Sequence, residues 1–268
     1  MISTMIISVF ISCLFLGALV GFLAGLLGIG GGLIIVPALV FILPYFNVTH
    51  QAVMPMALAT SLATIVITAT SAALAHRKNG NIPWPLAKLL MIFIAIGALT
   101  GAFIADNLSS ESLTYIFSTA VILLAVYMLR SIHKPKERSL PKPMVLRGLG
   151  LFTGVLASLM GISGGAVLIP ALTYFGVQLR HTFGVATVCG MVVALFGSIG
   201  YIVTGLQQDH LPPWSLGYIY LPALFGLIIS SSLLAKYGVA VAKELPVKTL
   251  KKFFALFLII VAIKMMLI

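Results

Sequence analysis

The stretch Gly21-Phe22-Leu23-Ala24-Gly25-Leu26-Leu27-Gly28-Ile29-Gly30-Gly31-Gly32-Leu33-Ile34-Ile35-Val36-Pro37-Ala38-Leu39 occurs twice in this chain. The second copy is Gly154-Val155-Leu156-Ala157-Ser158-Leu159-Met160-Gly161-Ile162-Ser163-Gly164-Gly165-Ala166-Val167-Leu168-Ile169-Pro170-Ala171-Leu172. Without a gap, Gly21, Leu23, Ala24, Gly28, Ile29, Gly31, Gly32, Pro37, Ala38 and Leu39 match Gly154, Leu156, Ala157, Gly161, Ile162, Gly164, Gly165, Pro170, Ala171 and Leu172. A glycine inside a helix costs roughly 1 kcal/mol against alanine. A cluster of them in an apolar run, placed twice, needs a physical reason.

The surroundings of the repeat are those of a membrane protein. Hydrophobic residues make up 61% of the chain and charged ones 8%, with a mean hydropathy of +1.19. Soluble domains carry about 25% charged residues. A membrane-crossing helix needs about 20 apolar residues, so 268 residues hold about ten such elements. The net charge of +11 is no nucleic-acid footprint, because the basic residues flank apolar runs and form no basic face with interleaved aromatics. Cys13 and Cys189 lie inside apolar runs and read as buried free thiols, with no disulfide, metal site or cofactor motif in view. No lysine or arginine precedes the first apolar run, which therefore reads as a membrane helix rather than a cleaved signal.

Apolar helical runs fall at 4–27, 32–46, 52–76, 84–104, 112–130, 145–160, 165–177, 183–205, 214–236 and 249–267. Breakers separate them: Pro44, Asn79-Gly80-Asn81 with Pro83 and Pro85, and Pro212-Pro213. The polar, Pro-rich segment 131–143 is the one plausible linker, dividing a first repeat at 1–130 from a second at 144–268. Pro83-Trp84 before the fourth run is echoed by Pro213-Trp214 before the ninth, and Ala59-Thr60 by Ala186-Thr187. With the linker in the cytoplasm, all 16 lysines and arginines except Lys264 fall on the cytoplasmic side, as the positive-inside rule requires. Five elements per half then make the repeats inverted, with both termini outside the cytoplasmic membrane. The expected fold is an all-α integral membrane protein of two inverted five-element repeats.

Some elements are short. Residues 165–177 give about 20 Å of helix against a hydrocarbon core of about 30 Å. The two glycine stretches therefore read as tips of helical hairpins, and irregular backbone at membrane depth is tolerated only inside protein or facing water. Each tip ends in a helix N-terminus, whose free N–H groups and positive dipole end suit an anion. Gly28, Gly30, Gly31 and Gly32, with Gly161, Ser163, Gly164 and Gly165, are thus candidate substrate-binding positions, and Pro37 and Pro170 candidate hinges. Thr60, Thr64 and Thr68 share one helix face with Ser61 beside them, and Thr187 opens a matching stripe through Gly190, Ala194, Ser198 and Tyr201. The competing explanations stay open: small residues let membrane helices pack closely, and membrane hydroxyls often bond their own i−4 carbonyl.

Asp106, Glu111, Glu137, Asp209 and Glu244 all lie in or beside loops, which argues against a carboxylate-based proton pump or cation channel. The histidines also sit at loop edges. Gly161-Ile162-Ser163-Gly164 fits the pattern around an intramembrane serine protease nucleophile, yet no histidine base lies at comparable depth and the first copy has Gly30 in place of Ser163.

The paired glycine stretches, their prolines, the inverted halves and the ending Lys251-Lys252-Phe253-Phe254-Ala255-Leu256-Phe257-Leu258 resemble the sulfite exporter TauE/SafE family, a sulfonate-permease-type group. The resemblance covers nearly the whole chain. It implies a membrane transporter, not an enzyme, that carries sulfite, an organosulfonate or a related oxyanion. It points to Gly28, Gly30, Gly31, Gly32 and Pro37, with Gly161, Ser163, Gly164, Gly165 and Pro170. The partners expected are a small anion and the lipid bilayer; a homo-oligomer and an anion channel stay open.

Overall fold

Backbone polar groups surrounded by apolar side chains are satisfied most locally in a helix, and the chain follows that rule almost throughout. A computed structural model of the protein describes residues 2–27, 31–130, 140–208, 210–242 and 247–267. Its helices are α1 (Ile2–Leu27), α2 (Gly32–Ile42), α3 (His50–Lys78), α4 (Trp84–Asp106), α5 (Ser110–Arg130), α6 (Pro143–Leu159), α7 (Gly165–Tyr174), α8 (Leu179–Gly205), α9 (Leu221–Ala242) and α10 (Val247–Met266). Among the described residues, apolar segments of α1, α3, α4, α5 and α8 are long enough to cross a membrane, and α2, α6 and α7 are shorter apolar helices. The chain is a multi-pass, helical membrane protein. The linker segment 131–139, Gly28 and Gly30 lie outside the described residues.

Burial ranks the helices. In the apolar windows of α3 and α8, 78% and 67% of residues are buried, against 28% in α1 and α5. Helices α3 and α8 therefore form the centre and pack on each other, and the outer helices present apolar faces such as Phe15, Ile92 and Leu123 outward. Around that centre α4 packs along α6, α1 along α9, and α5 along α10. The first two pairs are close because glycines line them. A Cβ on Gly154 would lie 2.8 Å from the amide nitrogen of Ala98, and one on Gly21 would lie 2.5 Å from the Cα of Ser231.

The helix ends gather charge unequally. His76, Arg77 and Lys78 end α3, Arg180 and His181 begin α8, and the ring of His181 reaches the carbonyl of Asn81 at 3.2 Å. Arg147 of α6 stacks over Phe93 of α4 at 5.7 Å. A 690 Å³ cleft opens at this basic end between Pro83, Pro141, Val177 and His181. At the far end of α3, some 43 Å away along a helix of 29 residues, a 380 Å³ cleft is lined by His50, Ser110 and Glu111.

One element departs from expectation. The ninth run begins at 221, not 214. Trp214 takes φ 69, and residues 215–220 form a two-stranded hairpin, β1 (Ser215–Leu216) and β2 (Ile219–Tyr220), with Ser215 opposite Tyr220. Pro212-Pro213 bars helix, and Gly217 at φ 54 occupies the first centre of a two-residue turn that favours glycine. The echo of Pro83-Trp84 is thus one of sequence only, because Trp84 starts α4 directly.

Candidate functional site

The second glycine stretch is built around a helix stop. At the end of α6 the N–H of Ile162 bonds Ala157 O at 3.1 Å, the N–H of Gly161 bonds Ser158 O at 3.2 Å, and Gly161 has φ 60. This is a Schellman cap, which needs a left-handed residue at that point. Four residues later α7 starts at Gly165 with Gly164 as its N-cap and no side-chain cap. In the first copy α2 starts in the same way, behind Gly31 and again without a side-chain cap. Both helices therefore open with N–H groups that no capping side chain satisfies. Pro37 and Pro170 sit six residues into these short helices, where each removes the helical partner of the carbonyl four residues back, on Leu33 and Ala166.

The two copies touch. A Cβ on Gly32 would lie 2.7 Å from the carbonyl oxygen of Gly161 and 3.0 Å from the Cα of Ile162. Helix α3 runs past both: Leu58 lies against Gly161, Ile65 against Gly32, and Ser61 donates its hydroxyl to Gly161 O at 2.7 Å. Helix α8 covers the other side of the second tip, with Gly190 against Ser163, Val193 against Gly164 and Ala186 against Gly165. The structure thus brings Gly32, Ser61, Gly161, Ser163, Gly164 and Gly165 into one cluster between α3 and α8.

The remaining hydroxyls divide. Thr64 bonds Thr60 O at 2.8 Å and half-buried Thr187 bonds Phe183 O at 2.7 Å, each inside its own helix. Thr60 instead accepts the N–H of Tyr220 at 3.1 Å. The hydroxyl of Ser163 lies 3.6 Å from the Cβ position of Gly165 and so sits beside the start of α7. His76 and His181 are held at Asn81, at the basic end, and His50 lines the opposite cleft. No hydrogen bond brings any of the three to Ser163.

The profile of the family described as "Sulfite exporter TauE/SafE" matches residues 13–265. The chain belongs to the sulfite exporter TauE/SafE family. A TauE/SafE member is a membrane transporter, not an enzyme, so the serine of Gly161-Ile162-Ser163-Gly164 is not a protease nucleophile. The chain is 43% identical to a probable membrane transporter protein of Haemophilus influenzae over 257 residues, 95% of this chain and 97% of that one. It is 27% identical over 239 residues to a probable membrane transporter protein of Methanocaldococcus jannaschii, 88% of this chain and 87% of the relative. With the Arabidopsis thaliana sulfite exporter TauE/SafE family protein 1 it shares 26% identity over 95 residues, 35% of this chain and 21% of that protein. No solved structure matches.

Within this TauE/SafE chain, Ser158 and Thr153 adjoin the cluster and were not singled out by residue spacing, whereas Ser198 and Tyr201 belong to the α8 stripe that spacing did identify. Ser158 and Thr153, both fully buried in α6, and Ser198, buried in α8, have hydroxyls with no hydrogen-bond partner among the described residues. Ser158 lies inside the glycine stretch itself, at the position of Gly25, and faces Gly197. Thr153 packs on Gly164. The hydroxyl of Tyr201 donates to Ser158 O at 3.2 Å. The signal available in the sequence was the replacement of a motif glycine by serine.

Proposed function

We propose that this protein is a secondary transporter of small oxyanions, sulfite or an organosulfonate first, and that the anion binds where the two glycine tips meet. The single observation that supports this most is the contact between Gly32 and Gly161. It sets the uncapped starts of α2 and α7 in one region, where N–H groups and positive dipole ends favour an anion without a charged side chain. Gly28, Gly30, Gly31, Gly32, Gly161, Ser163, Gly164 and Gly165 form the proposed site, with hydroxyls of Thr60, Ser61, Thr64 and Thr187 on the flanking helices. Pro37 and Pro170, each freeing a carbonyl in a short helix, are the proposed hinges. The choice of sulfite and sulfonates follows the family description.

Alternating access is proposed to come from one five-element repeat, 1–130, moving against an inverted second, 144–268, about the cytoplasmic linker 131–143. The packing supports a two-fold relation: exchanging the halves turns the pair α4–α6 into α9–α1 and leaves α3–α8 and α5–α10 paired. The gathering of Arg77, Lys78, Arg147 and Arg180 at one end supports the cytoplasmic assignment of that end. Purified protein in liposomes should move labelled sulfite or a sulfonate down an imposed gradient. Absence of flux with every anion tried rejects the reading, and unitary currents in a planar bilayer would replace the transporter by a channel.

A further inference from the structure

Hairpin β1–β2 is a short loop with a buried face. Tyr218, Ile219 and Tyr220 are 6%, 4% and 5% exposed, although they connect two helices at the end of the molecule away from the basic cluster. Three helices hold the hairpin. The N–H of Tyr218 bonds Tyr201 O of α8 at 3.3 Å, its hydroxyl donates to Asp106 of α4 at 2.9 Å, and the N–H of Tyr220 bonds Thr60 of α3 at 3.1 Å. The turn is driven against α8 so closely that a Cβ on Gly217 would lie 2.7 Å from the Cα of Ile202. Helix α4 has no such element before it, since Trp84 begins it directly.

The same hairpin is tied to the glycine cluster. The rings of Tyr218 and Tyr201 meet edge to face with centroids 6.3 Å apart. Tyr201 then donates to Ser158 O, the carbonyl that also accepts the N–H of Gly161 in the α6 cap. Ser158 O therefore cannot move with the tip unless Tyr201 follows or lets go, and Tyr201 carries Tyr218 on its backbone carbonyl and its ring. Burial and the bond to Asp106 push the Tyr218 phenol upward, so it stays a donor at physiological pH.

Resting on the transport reading above, we infer that the hairpin Ser215–Tyr220 is the gate over the anion site at the non-cytoplasmic end, latched by Tyr218 to Asp106, with Tyr201 as a positioning residue that gears the latch to the second tip. Opening that end requires the Tyr218–Asp106 bond to break and the turn to lift from α8, exposing Thr60 below it.

The test uses full-length protein in membranes, with Cys13→Ala and Cys189→Ala as background and Thr60→Cys as reporter. A membrane-impermeant maleimide added from the non-cytoplasmic side should label the reporter about tenfold faster when Tyr218→Phe is added, the scale of losing one hydrogen bond to a charged group. Equal labelling with and without the phenol overturns the gate. A second pair, Asp106→Cys with Tyr218→Cys, is joined by a short bis-methanethiosulfonate, which forms a disulfide with each thiol and releases methanesulfinate; flux of a labelled organosulfonate, which leaves disulfides intact, should stop on joining and return on reduction. Flux that continues through the joined pair also overturns the gate. Tyr201→Phe should lower maximal flux and leave the half-saturating sulfite concentration unchanged, whereas the opposite pattern would place Tyr201 on the substrate. Failure of the transport reading is separable: wild-type protein then shows no flux, and maleimide labelling still reports on the hairpin.

Discussion

The hydroxyl of Ser61 in α3 donates to the carbonyl of Gly161 across 2.7 Å, joining the centre of the first half to the tip of the second. Ser61 is fully buried, so a Gly161 carbonyl deprived of it has no water to turn to. A buried acceptor left unsatisfied costs about 1–3 kcal/mol. Ser61→Ala should therefore lower the melting midpoint in detergent by several degrees, and it should reduce flux more than Ser71→Ala. Ser71 is exposed and bonds only Ile67 O of its own helix. Equal effects of the two substitutions would mean that the tip does not depend on α3.

Gly161→Ala adds a methyl where the backbone has φ 60 and where Leu58 Cα lies 2.9 Å from the new atom. A left-handed alanine alone costs about 1–2 kcal/mol, and backbone cannot step aside as a side chain can. The expected result is poor expression or a strongly lowered melting midpoint. Gly148→Ala inside α6, the helix that Gly161 caps, is the comparison: nothing lies within 4 Å of its Cβ position, and alanine favours helix by up to about 1 kcal/mol, so stability should hold or rise. Thermal melts followed by tag fluorescence on size exclusion decide this.

Gly164 separates packing from binding. Its Cβ position lies 3.2 Å from a methyl of Thr153 and 3.3 Å from one of Val193. Small shifts of those two methyls make room for alanine but not for a larger side chain. Gly164→Ala should keep most of the flux. Gly164→Leu should abolish it while the protein still reaches the membrane, because the added carbons cover the start of α7. Full flux of labelled sulfite in Gly164→Leu would remove that helix start from the mechanism.

Much of this was legible in the sequence because membrane physics writes in long strokes. The helix starts at Gly32, Trp84 and Gly165 follow from breakers and apolar runs, and the short lengths of α2 and α7 follow from the spacing between Gly31 and Pro44 and between Gly164 and Gly176. The hairpin at 215–220 was not legible. Its residues are apolar enough to pass for a helix start, and what reveals the turn is backbone conformation, φ 69 at exposed Trp214 and φ 54 at Gly217. The site was half legible for a related reason. Spacing identifies which hydroxyls share a face, as with Thr60 and Thr64. It does not say that Thr64 bonds its own helix while Thr60 serves Tyr220, since that depends on which element arrives from 160 residues away.

Cys13 and Cys189 are both 0% exposed. A thiol reacts as the thiolate, which needs solvent or a cationic neighbour. Neither cysteine should be modified by maleimide in intact membranes, and both should be modified after denaturation in dodecyl sulfate, read as a shift on a gel with a polymer-linked reagent. Labelling of Cys189 in the native state would mean that α8 opens to water in a state other than this one.

The side of each helix end can be read from two contacts and one rule. His181 on Asn81 O places the start of α8 with the end of α3, and Tyr218 on Asp106 places the loop after α8 with the end of α4. Arg77, Lys78 and Arg180 lie at the first of these ends, and cationic loops stay in the cytoplasm. A helix of 27 residues separates the two ends, more than the roughly 20 needed to cross. In a background lacking Cys13 and Cys189, Arg180→Cys should react with an impermeant maleimide only after permeabilisation, whereas His210→Cys and Asn107→Cys should react in intact cells. If His210→Cys and Arg180→Cys label from the same side, α8 does not cross, and the second half is not an inverted copy of the first.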